Sequence, residues 1–491
     1  MSRPRHPRHT ARRPRLPVAL AVASLAALGG GCAGGGAEPT PPSEAVERPA
    51  LNVVVVMTDD QALDTMGAMP LTRRLIGERG TSFDHAFVSF PLCCPSRATF
   101  LTGQYAHNHG VRDNGGPRGG YQRLDRDHTL PVWLSNAGYR TAFVGKFLNG
   151  YGAGKAVREV PPGWSEWYGL PAANKQRAFD FDLNENGEVV HYGGEPGRSD
   201  PYKTDVLADK AVGFVRRAAT SRRPFFLWVA TNGPHRDTSL PEDAARNPEP
   251  APRDRGRFDR WRAPRRAGVN ERDVSDKPRD IRRRPRLDRA ARQRLDREYV
   301  SQLESLASID RLVGRLVRRV RAAGELDRTL LVFTSDNGFL RGQHRLEGKS
   351  RPYEESIRVP LLVRGPGFAD GAHDRRLVVN VDLAATILDA AGTSADSTLD
   401  GRSLRPGADR RRPRHEVLLE VFERKHAFTG LRTRHYTYIE YEGGARELYD
   451  LRRDPEQLDN LAGRPDLAGL RARLARRLAG LRNCVGASDC G

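Results

Sequence analysis

The sequence predicts an α/β fold in which a large sheet is flanked by helices and followed by a small antiparallel sheet. Four apolar runs rich in β-branched and aromatic residues are typical of strands buried on both faces, and they lie at 51–57, 139–144, 224–230 and 329–334. Helical periodicity appears between them, as over Tyr202–Arg217 and 295–324. From residue 416 the pattern changes to short alternating strands, which favours a separate antiparallel sheet closed by a helix over 467–481.

The N-terminus has the organisation of an export signal. Residues 1–15 are rich in arginine, histidine and proline, and an apolar run from Leu16 to Leu28 leads through three glycines to Cys32. This order predicts that residues 1–32 direct export, to the cell envelope or the extracellular space. Cys32 resembles a bacterial lipoprotein site, and a lipid attached there would anchor the chain to a membrane. Residues 33–49, rich in glycine and proline, are predicted to be a flexible linker.

The composition narrows the classes of function. The chain has 491 residues, too many for one small core, and a net charge of +20. That charge indicates a polyanionic partner, but arginines are mixed with aspartates throughout and no nucleic-acid-binding signature is present. We therefore expect no nucleic-acid partner. Of the five cysteines, Cys484 and Cys490 lie close together and would close a small disulfide-bonded loop in an oxidising compartment.

Polar side chains follow the four buried strands. They are Asp59 and Asp60, then Lys146, then His235, and finally Asp336 and Asn337. Because α/β sheets bind ligands at the carboxyl ends of their strands, we expect a site there. Adjacent carboxylates repel each other, so a hard divalent cation is the simplest explanation for the pair 59–60. The alternatives are a surface turn in which Asp60 or Asp64 caps a helix, a solvated lysine and a structural histidine.

A further stretch, Cys93-Cys94-Pro95-Ser96-Arg97, combines two cysteines with an arginine. Pro95 suits the first turn of a helix and Gly103 its C-terminal stop, which places Cys93 just before a helix N-terminus. Backbone N–H groups and the helix dipole favour an anion at that position, and Arg97 adds donors that suit a tetrahedral oxyanion. From these residues alone, Cys93 is either a nucleophile beside an anion site or an ordinary buried cysteine.

The same stretch matches the C-x-P-S-R signature of the sulfatase family. The residues after it, Leu101-Thr102-Gly103-Gln104-Tyr105, resemble the family's continuation, and Ser335-Asp336-Asn337-Gly338 and Lys349 match later family motifs. The order Gln-Tyr-x-His-Asn-His-Gly-Val at 104–111 resembles the N-acetylglucosamine-6-sulfatase and heparan endosulfatase branch. The resemblance covers about 51–461. It implies an alkaline-phosphatase-like mixed sheet sandwiched by helices, with a small C-terminal α+β domain.

The resemblance also implies a mechanism. Cys93 would be oxidised by a formylglycine-generating enzyme, and the hydrated aldehyde would attack the sulfur of a sulfate ester. One calcium ion would be held by Asp59, Asp60, Asp336, Asn337 and the modified Cys93. The implied catalytic residues are Cys93, Arg97, Lys146, His235 and Lys349. Many family members have a histidine two residues after the lysine, where this chain has Leu148; Asn149 is the candidate substitute, and His344 is a further candidate.

We therefore expect a sulfuric ester hydrolase that acts on a glycan such as 6-sulfated N-acetylglucosamine. The alternatives are an arylsulfatase, a phosphonate or phosphodiester hydrolase with the same signature, and a non-catalytic polyanion-binding surface protein. A cysteine-dependent hydrolase lacks a supporting Ser/His/Asp or Cys/His frame. The catalytic domain is predicted at 50–400, with an Arg/Pro-rich surface excursion at 242–294, and a C-terminal subdomain at 401–491.

Overall fold

The structure is a computed structural model. It describes residues 50–173, 175–194, 199–238, 246–407, 414–423 and 426–491. The predicted export signal, the linker and Cys32 lie outside these residues. No helix in the described part of the chain is long and apolar enough to span a membrane.

The strands are β1 (Asn52–Thr58), β2 (Thr81–Phe87), β3 (Arg140–Gly145), β4 (Glu166–Gly169), β5 (Phe181–Glu185), β6 (Glu188–Tyr192), β7 (Phe225–Ala230), β8 (Thr329–Ser335), β9 (Leu340–Arg341), β10 (Glu347–Gly348), β11 (Leu361–Arg364), β12 (Ala372–Val379), β13 (Glu416–Val421), β14 (Phe428–Thr433), β15 (Tyr436–Tyr441) and β16 (Arg446–Asp450). The α-helices are α1 (Pro70–Thr72), α2 (Cys93–Thr102), α3 (Ala106–His109), α4 (Leu130–Asn136), α5 (Lys203–Ala218), α6 (Arg279–Arg282), α7 (Arg289–Ala322), α8 (Glu354–Ile357), α9 (Asp382–Ala391) and α10 (Ala468–Leu481).

Ten of the described strands form one mixed sheet in the order β12-β2-β11-β8-β1-β7-β3-β4-β5-β6. Its centre is parallel, because β1 pairs in parallel with both β7 and β8, and β3 pairs in parallel with β7. Strand β11 runs antiparallel to β8 and β2, and β4, β5 and β6 form an antiparallel edge. The four strands predicted from apolar runs are therefore neighbours at the centre of this sheet.

Strand β1 shows why the sheet is covered on both faces. Every residue of its sequence NVVVVMT is buried. Val53 and Val55 belong to a core that includes residues of α2, α4 and α9, whereas Val54 and Val56 belong to a second core with residues of α5 and α7. Because successive strand side chains point to opposite faces, a continuous apolar run requires helices on both sides. This confirms the predicted sheet sandwiched by helices.

The C-terminal part also confirms the prediction. Strands β13 to β16 form an antiparallel sheet in sequential order, and α10 packs against it. Cys484 and Cys490 are joined by a disulfide with their Cα atoms 5.2 Å apart, and both are buried in the apolar cluster beneath this sheet.

Two helices begin earlier than the sequence predicts. Helix α7 begins at Arg289 rather than Leu295, because Asp288 caps it by accepting a hydrogen bond from Ala291 N at 2.7 Å. The first turns of α7 are polar and arginine-rich, so apolar periodicity did not reveal them. Helix α2 likewise begins at Cys93 instead of Pro95, and Gly103 ends it with a φ of 66° in the left-handed region, as expected.

The segment 242–294, predicted as a surface excursion, is described from residue 246 onward. Asp254 is buried and accepts a hydrogen bond from Ser308 Oγ of α7 at 2.7 Å. Val274 and Ile281 are buried in a cluster that includes Tyr449 of β16. These contacts attach parts of the segment both to the sandwich and to the C-terminal sheet.

Candidate active site

The site is formed by neighbouring strands of the central sheet. Strands β8, β1, β7 and β3 lie side by side and are parallel, so their carboxyl ends meet at one edge. The loops at this edge carry Asp336 and Asn337, Asp59 and Asp60, His235, and Lys146. The structure thus brings together the side chains that the sequence places after four separate strands.

Hydrogen bonds link the residues that follow β1 to those that follow β8. Asp60 N donates to Asp336 Oδ1 at 3.2 Å, and Asn337 Nδ2 donates to Asp60 Oδ1 at 2.7 Å. Asp60 has a φ of 64°, in the left-handed region, which turns the chain sharply after the strand. Neither Asp60 nor Asp64 caps the following 3-10 helix, so that alternative is wrong. Asp64 instead pairs with Arg341.

Cys93 lies at the centre of the cluster, as the first residue of α2. Its Sγ is 3.4 Å from Asp59 Oδ1 and 2.8 Å from Lys349 Nζ, with Lys146 Nζ at 3.8 Å. Lys146 also pairs with Asp59, and Lys349 pairs with Asp60. The thiol is therefore held between two carboxylates and two ammonium groups at the N-terminus of a helix.

Arg97 connects the helix to the strand ends. Its Nε donates to Asp336 Oδ2 at 2.8 Å, Nη2 is 3.4 Å from Asp59 Oδ2, and Nη1 donates to the Lys146 carbonyl. All three side chains in its two ion pairs are fully buried. Arg97 thus sets the position of α2 relative to both carboxylates.

The surroundings of the cluster lower the pKa of Asp59 but raise the pKa values of Asp336 and Cys93. Burial disfavours ionisation of Asp59, but Lys146, His235 and Arg97 outweigh it and hold the pKa of Asp59 below its usual range. Burial and the charge of Asp59 raise the pKa of Asp336 to about 6. Burial, aided by the charge of Asp59, also raises the pKa of the Cys93 thiol to about 12. At neutral pH an unmodified Cys93 is therefore a protonated thiol.

The residues at this edge fit a hard metal ion. One ligand atom from each of four residues lies within 4.8 Å of the others: Asp59, Asp60, Cys93 and His235. Asn337 Oδ1 is buried and accepts no hydrogen bond in the described structure, although a buried amide oxygen normally has a partner. Carboxylate and amide oxygens are the ligands that Ca²⁺ and Mg²⁺ prefer. An ion at this place would satisfy Asn337 and offset the carboxylate charge.

Comparisons with known proteins agree with this geometry. The family model described as Sulfatase matches residues 51–393, and the model described as N-sulphoglucosamine sulphohydrolase, C-terminal, matches residues 342–484. The chain belongs to the sulfatase family. This sulfatase is 38% identical over 383 residues to N-acetylglucosamine-6-sulfatase of Homo sapiens, an alignment that covers 75% of this chain and 67% of the human one.

Two further similarities extend over more of the sulfatase chain. It is 33% identical to the arylsulfatase of Volvox carteri over an alignment of 535 residues that covers 96% of this chain and 79% of that one. A solved structure of a protein in complex with its substrate D-glucosamine-2-N,6-O-disulfate matches with a TM-score of 0.73 and 25% identity, over 88% of this chain and 97% of that chain. The alkaline-phosphatase-like fold expected from the sequence is thereby confirmed. The protein is an enzyme that hydrolyses sulfate esters.

Two residues that the sequence offered as further candidates, His344 and Asn149, occupy different places in the structure. His344 of the sulfatase lies outside the cluster: its Nδ1 hydrogen-bonds Glu271 Oε2 at 2.7 Å, and its ring lies 4.0 Å from that of Tyr353. Asn149 lies beside the signature, where its N–H donates to Cys94 Sγ at 3.1 Å. Its side-chain Oδ1 accepts a hydrogen bond from Lys175 Nζ at 3.0 Å.

Sequence reasoning missed Lys175 completely. The residue belongs to the connection between β4 and β5, without a strand-end position or a motif to distinguish it. Asn114 was missed for the same reason, although its Oδ1 accepts the Cys94 N–H at 2.9 Å. Both become visible only when the loops are placed beside each other.

Proposed function

We propose that this sulfatase removes the 6-sulfate from N-acetylglucosamine or N-sulfated glucosamine units of a glycan, with formylglycine made from Cys93 and one calcium ion. The observation that carries the proposal is the surroundings of Cys93: two lysine ammonium groups and two buried carboxylates around one side chain at a helix N-terminus. The names of the N-acetylglucosamine-6-sulfatase relative and of the disulfated glucosamine complex support the choice of substrate.

The electrostatic surroundings of Cys93 support its modification. Burial holds the Cys93 thiol in the protonated form, with a pKa of about 12, and a protonated thiol is a poor nucleophile. Oxidation to formylglycine and hydration would supply a geminal diol, in which one hydroxyl attacks sulfur and the other expels sulfate as the aldehyde reforms. The maturation partner is then a formylglycine-generating enzyme, an oxidising enzyme acting on the Cys93-Cys94-Pro95-Ser96-Arg97 signature.

The cations around residue 93 would bind the sulfate group. Burial would lower the pKa of Lys349, but the charges of Asp60 and Cys93 outweigh it and raise that pKa well above its usual value. Lys349 therefore stays charged and can hold a sulfate oxygen and the negative charge that develops on the leaving oxygen. Lys146, which pairs with Asp59 and lies 3.8 Å from Cys93 Sγ, can do the same, while Arg97 keeps the helix in place.

His235 is positioned to exchange a proton. Its Nδ1 faces the Arg236 carbonyl at 2.5 Å, and its Nε2 points to the cluster, 3.6 Å from Asp60 Oδ2. Since Nδ1–H donates to a carbonyl, Nε2 is the atom that faces the leaving oxygen of the ester, and it would deliver a proton there only from the protonated ring, in which both nitrogens carry a hydrogen. Asp336, the most easily protonated carboxyl of the cluster, is the candidate acceptor for the proton of the attacking hydroxyl.

The metal would be held by the modified Cys93 and four oxygen-bearing side chains, those of Asp59, Asp60, Asp336 and Asn337. A bound calcium ion would polarise the sulfate oxygens and lower the pKa of the attacking hydroxyl. The buried Asn337 Oδ1, which has no hydrogen-bond partner in the described part of the chain, supports this ligand set.

We also propose that the enzyme is exported, because its N-terminal pattern is that of a signal and a Cys484–Cys490 disulfide suits an oxidising compartment. Attachment of lipid at Cys32 would then hold it at a membrane. Mass spectrometry of the mature N-terminus checks both points.

The decisive experiment co-expresses the chain with a formylglycine-generating enzyme and measures both modification and turnover. Mass spectrometry of the Cys93 peptide should give the mass of an aldehyde at residue 93 and of an unmodified thiol at Cys94. The preparation should hydrolyse N-acetylglucosamine-6-sulfate in preference to an aryl phosphodiester. An unmodified Cys93 in active enzyme would overturn the mechanism, and preference for the phosphodiester would overturn the reaction class.

An arylsulfatase is the second candidate, because the arylsulfatase of Volvox carteri aligns over almost the whole chain. The two functions differ in the leaving group. Higher kcat/KM for an aryl sulfate than for N-acetylglucosamine-6-sulfate, measured on the same preparation, would favour the arylsulfatase.

A further inference from the structure

Lys175 is a half-buried cation that has no counter-charge among the described residues. Its Nζ donates to Asn149 Oδ1 at 3.0 Å, the one hydrogen bond of this ammonium among the described residues. No carboxylate in the described parts of the chain lies within ion-pair distance of it. Removing an ammonium from water is costly unless a negative charge compensates it, and an amide oxygen supplies only a dipole. An anion is therefore the missing partner of Lys175.

Lys175 lies beside the reaction centre. Asn149, which it contacts, follows Lys146 by three residues and donates its N–H to the thiol of Cys94. Burial and the charge of Lys146 lower the pKa of Lys175 to about 8, and the charges of Cys93 and Asp59 act on it as well. The unpaired ammonium is thus within electrostatic range of the group that would attack the substrate.

Hydrogen bonds from Lys203 hold the backbone of the segment that carries Lys175. Lys203, at the start of α5, is buried and donates from Nζ to the Lys175 carbonyl at 2.6 Å and to the Arg177 carbonyl. These bonds hold the backbone at 175–177, so that Lys175 is held in position before any substrate arrives. A preorganised cation of this kind favours specific recognition over non-specific attraction.

The scissile sulfate does not need this cation. Lys146 and Lys349 both lie within 4 Å of Cys93 Sγ, so the group attacked at residue 93 already has two ammonium partners. Among the described residues, Lys175 contacts neither Cys93 nor the strand-end carboxylates, and its ammonium donates to Asn149 Oδ1. A negative charge that pairs with it must come from another part of the substrate.

We propose that Lys175 binds a second anionic group of the substrate, a sulfate or carboxylate carried beside the scissile sulfate ester, and so determines specificity for multiply charged sugars. The proposal rests on the proposed function and deepens it. It assigns to the connection between β4 and β5 the task of distinguishing a doubly anionic sugar from a singly sulfated one.

The test compares two substrates in two variants. Lys175→Met should lower kcat/KM for D-glucosamine-2-N,6-O-disulfate by roughly 10- to 100-fold, because a desolvated charge pair is lost, and should change kcat/KM for N-acetylglucosamine-6-sulfate or an aryl sulfate by less than about threefold. The matched control is Lys155→Met, since Lys155 is an exposed lysine of the 3-10 helix Gly154–Arg158. It should leave the ratio between substrates unchanged. Equal losses on all substrates, or none, would overturn the proposal.

Binding gives a readout that does not depend on turnover. In a Cys93→Ala background, calorimetry should show that Lys175→Met weakens binding of the disulfated sugar by at least tenfold more than binding of the monosulfated sugar. Asn149→Asp should act in the same direction, because it gives Lys175 an internal counter-charge while the backbone bond to Cys94 remains. If the enzyme hydrolyses no sulfate ester, the proposed function fails, whereas unchanged discrimination in these binding measurements refutes the role of Lys175 itself.

Discussion

Arg97 Nε donates a hydrogen bond to Asp336 Oδ2 over 2.8 Å, and neither side chain is exposed. The bond joins the first turns of α2, which carry Cys93, to the end of β8, which is more than two hundred residues away in the chain. Because Arg97 Nη2 also lies 3.4 Å from Asp59 Oδ2, one guanidinium sets the distance between the reactive side chain and two carboxylates of the cluster. We therefore expect the stability of the fold and the chemistry of the site to depend on the same side chain.

Substitution of Arg97 should destabilise the protein as well as inactivate it. Arg97→Met leaves two buried carboxylates with less compensation, and breaking a buried pair costs roughly 3–5 kcal/mol. The free energy of unfolding in urea measures this loss. Arg79→Met is the control, because Arg79 and Asp370 form an exposed pair 4.0 Å apart, which contributes about 0–1 kcal/mol. Similar losses in both variants would contradict the role given to Arg97.

The two adjacent cysteines should behave differently. Cys93→Ala should reduce kcat for sulfate esters by roughly 10⁴-fold or more, because the attacking group is lost. Cys94→Ala should keep turnover of the same order, since the Cys94 thiol contacts the Asn149 N–H and the Asn114 carbonyl and none of the strand-end carboxylates in the described structure. Steady-state kinetics with one aryl sulfate suffices, and full activity in Cys93→Ala would refute the assignment.

Removal of a carboxylate should remove the metal. Asp336→Ala should lose both bound calcium, measured by elemental analysis, and activity, because the oxygen ligand set loses a charged member. Asp370→Ala, on the exposed surface, should keep both. In the unaltered enzyme, calcium at a hundred times its Kd should stabilise the fold by about 2.7 kcal/mol relative to the chelated protein. Stoichiometric calcium in active Asp336→Ala protein would show that the ion lies elsewhere.

The pair His107–Glu420 should make stability fall at alkaline pH. His107 Nδ1 lies 2.6 Å from Glu420 Oε1 and Nε2 lies 2.9 Å from the Cys484 carbonyl, so the protonated ring satisfies two acceptors. Burial opposes the charge, but Glu420 outweighs it and raises the pKa of His107 above its usual value of 6.5. The folded state then binds the proton more tightly than the unfolded state. This stabilisation is complete below about pH 6.5 and is lost as pH rises through the folded-state pKa.

Urea unfolding at pH 6 and pH 9 checks this contribution. His107→Gln should be less stable than the unaltered protein at pH 6, and the difference should shrink at pH 9. The exposed His435→Gln serves as the control and should show no such pH-dependent difference. A difference for His107→Gln that grows toward alkaline pH would mean that the ring is neutral in the folded protein.

Much of the fold was predictable because its signals are local. The run at β1 can be buried on both faces only in a sandwich, and alternating residues at β13–β16 require a sheet with one covered face. Element boundaries were less predictable where a polar turn continues a helix. Helix α7, which Asp288 caps, begins at Arg289, six residues before Leu295, and Cys93 rather than Pro95 begins α2.

The candidate site was predictable to the extent that its residues occupy strand ends or a signature. Asp59, Lys146 and Asp336 follow buried strands, and the strand-end rule predicts where such residues meet. His344 lies in the sequence between the Ser335-Asp336-Asn337-Gly338 motif and Lys349, but its ring contacts Glu271 and Tyr353. The contacts of a loop residue depend on segments that are distant in the sequence. Lys175 has neither a strand-end position nor a sequence motif that would have marked it.

By itself, the sequence determined the central strands, the signature that contains Cys93 and the carboxylates that follow the strands, since each depends on neighbours a few residues apart. Only the tertiary structure decided which of them meet. The order β8-β1-β7-β3 is not the order of the chain, and it brings residues 59, 146, 235 and 336 to one edge. Within the described residues, the same packing leaves Asn337 Oδ1 without a hydrogen-bond partner and Lys175 without a counter-charge. Uncompensated polarity of this kind exists only after burial, because in an extended chain water satisfies every such group.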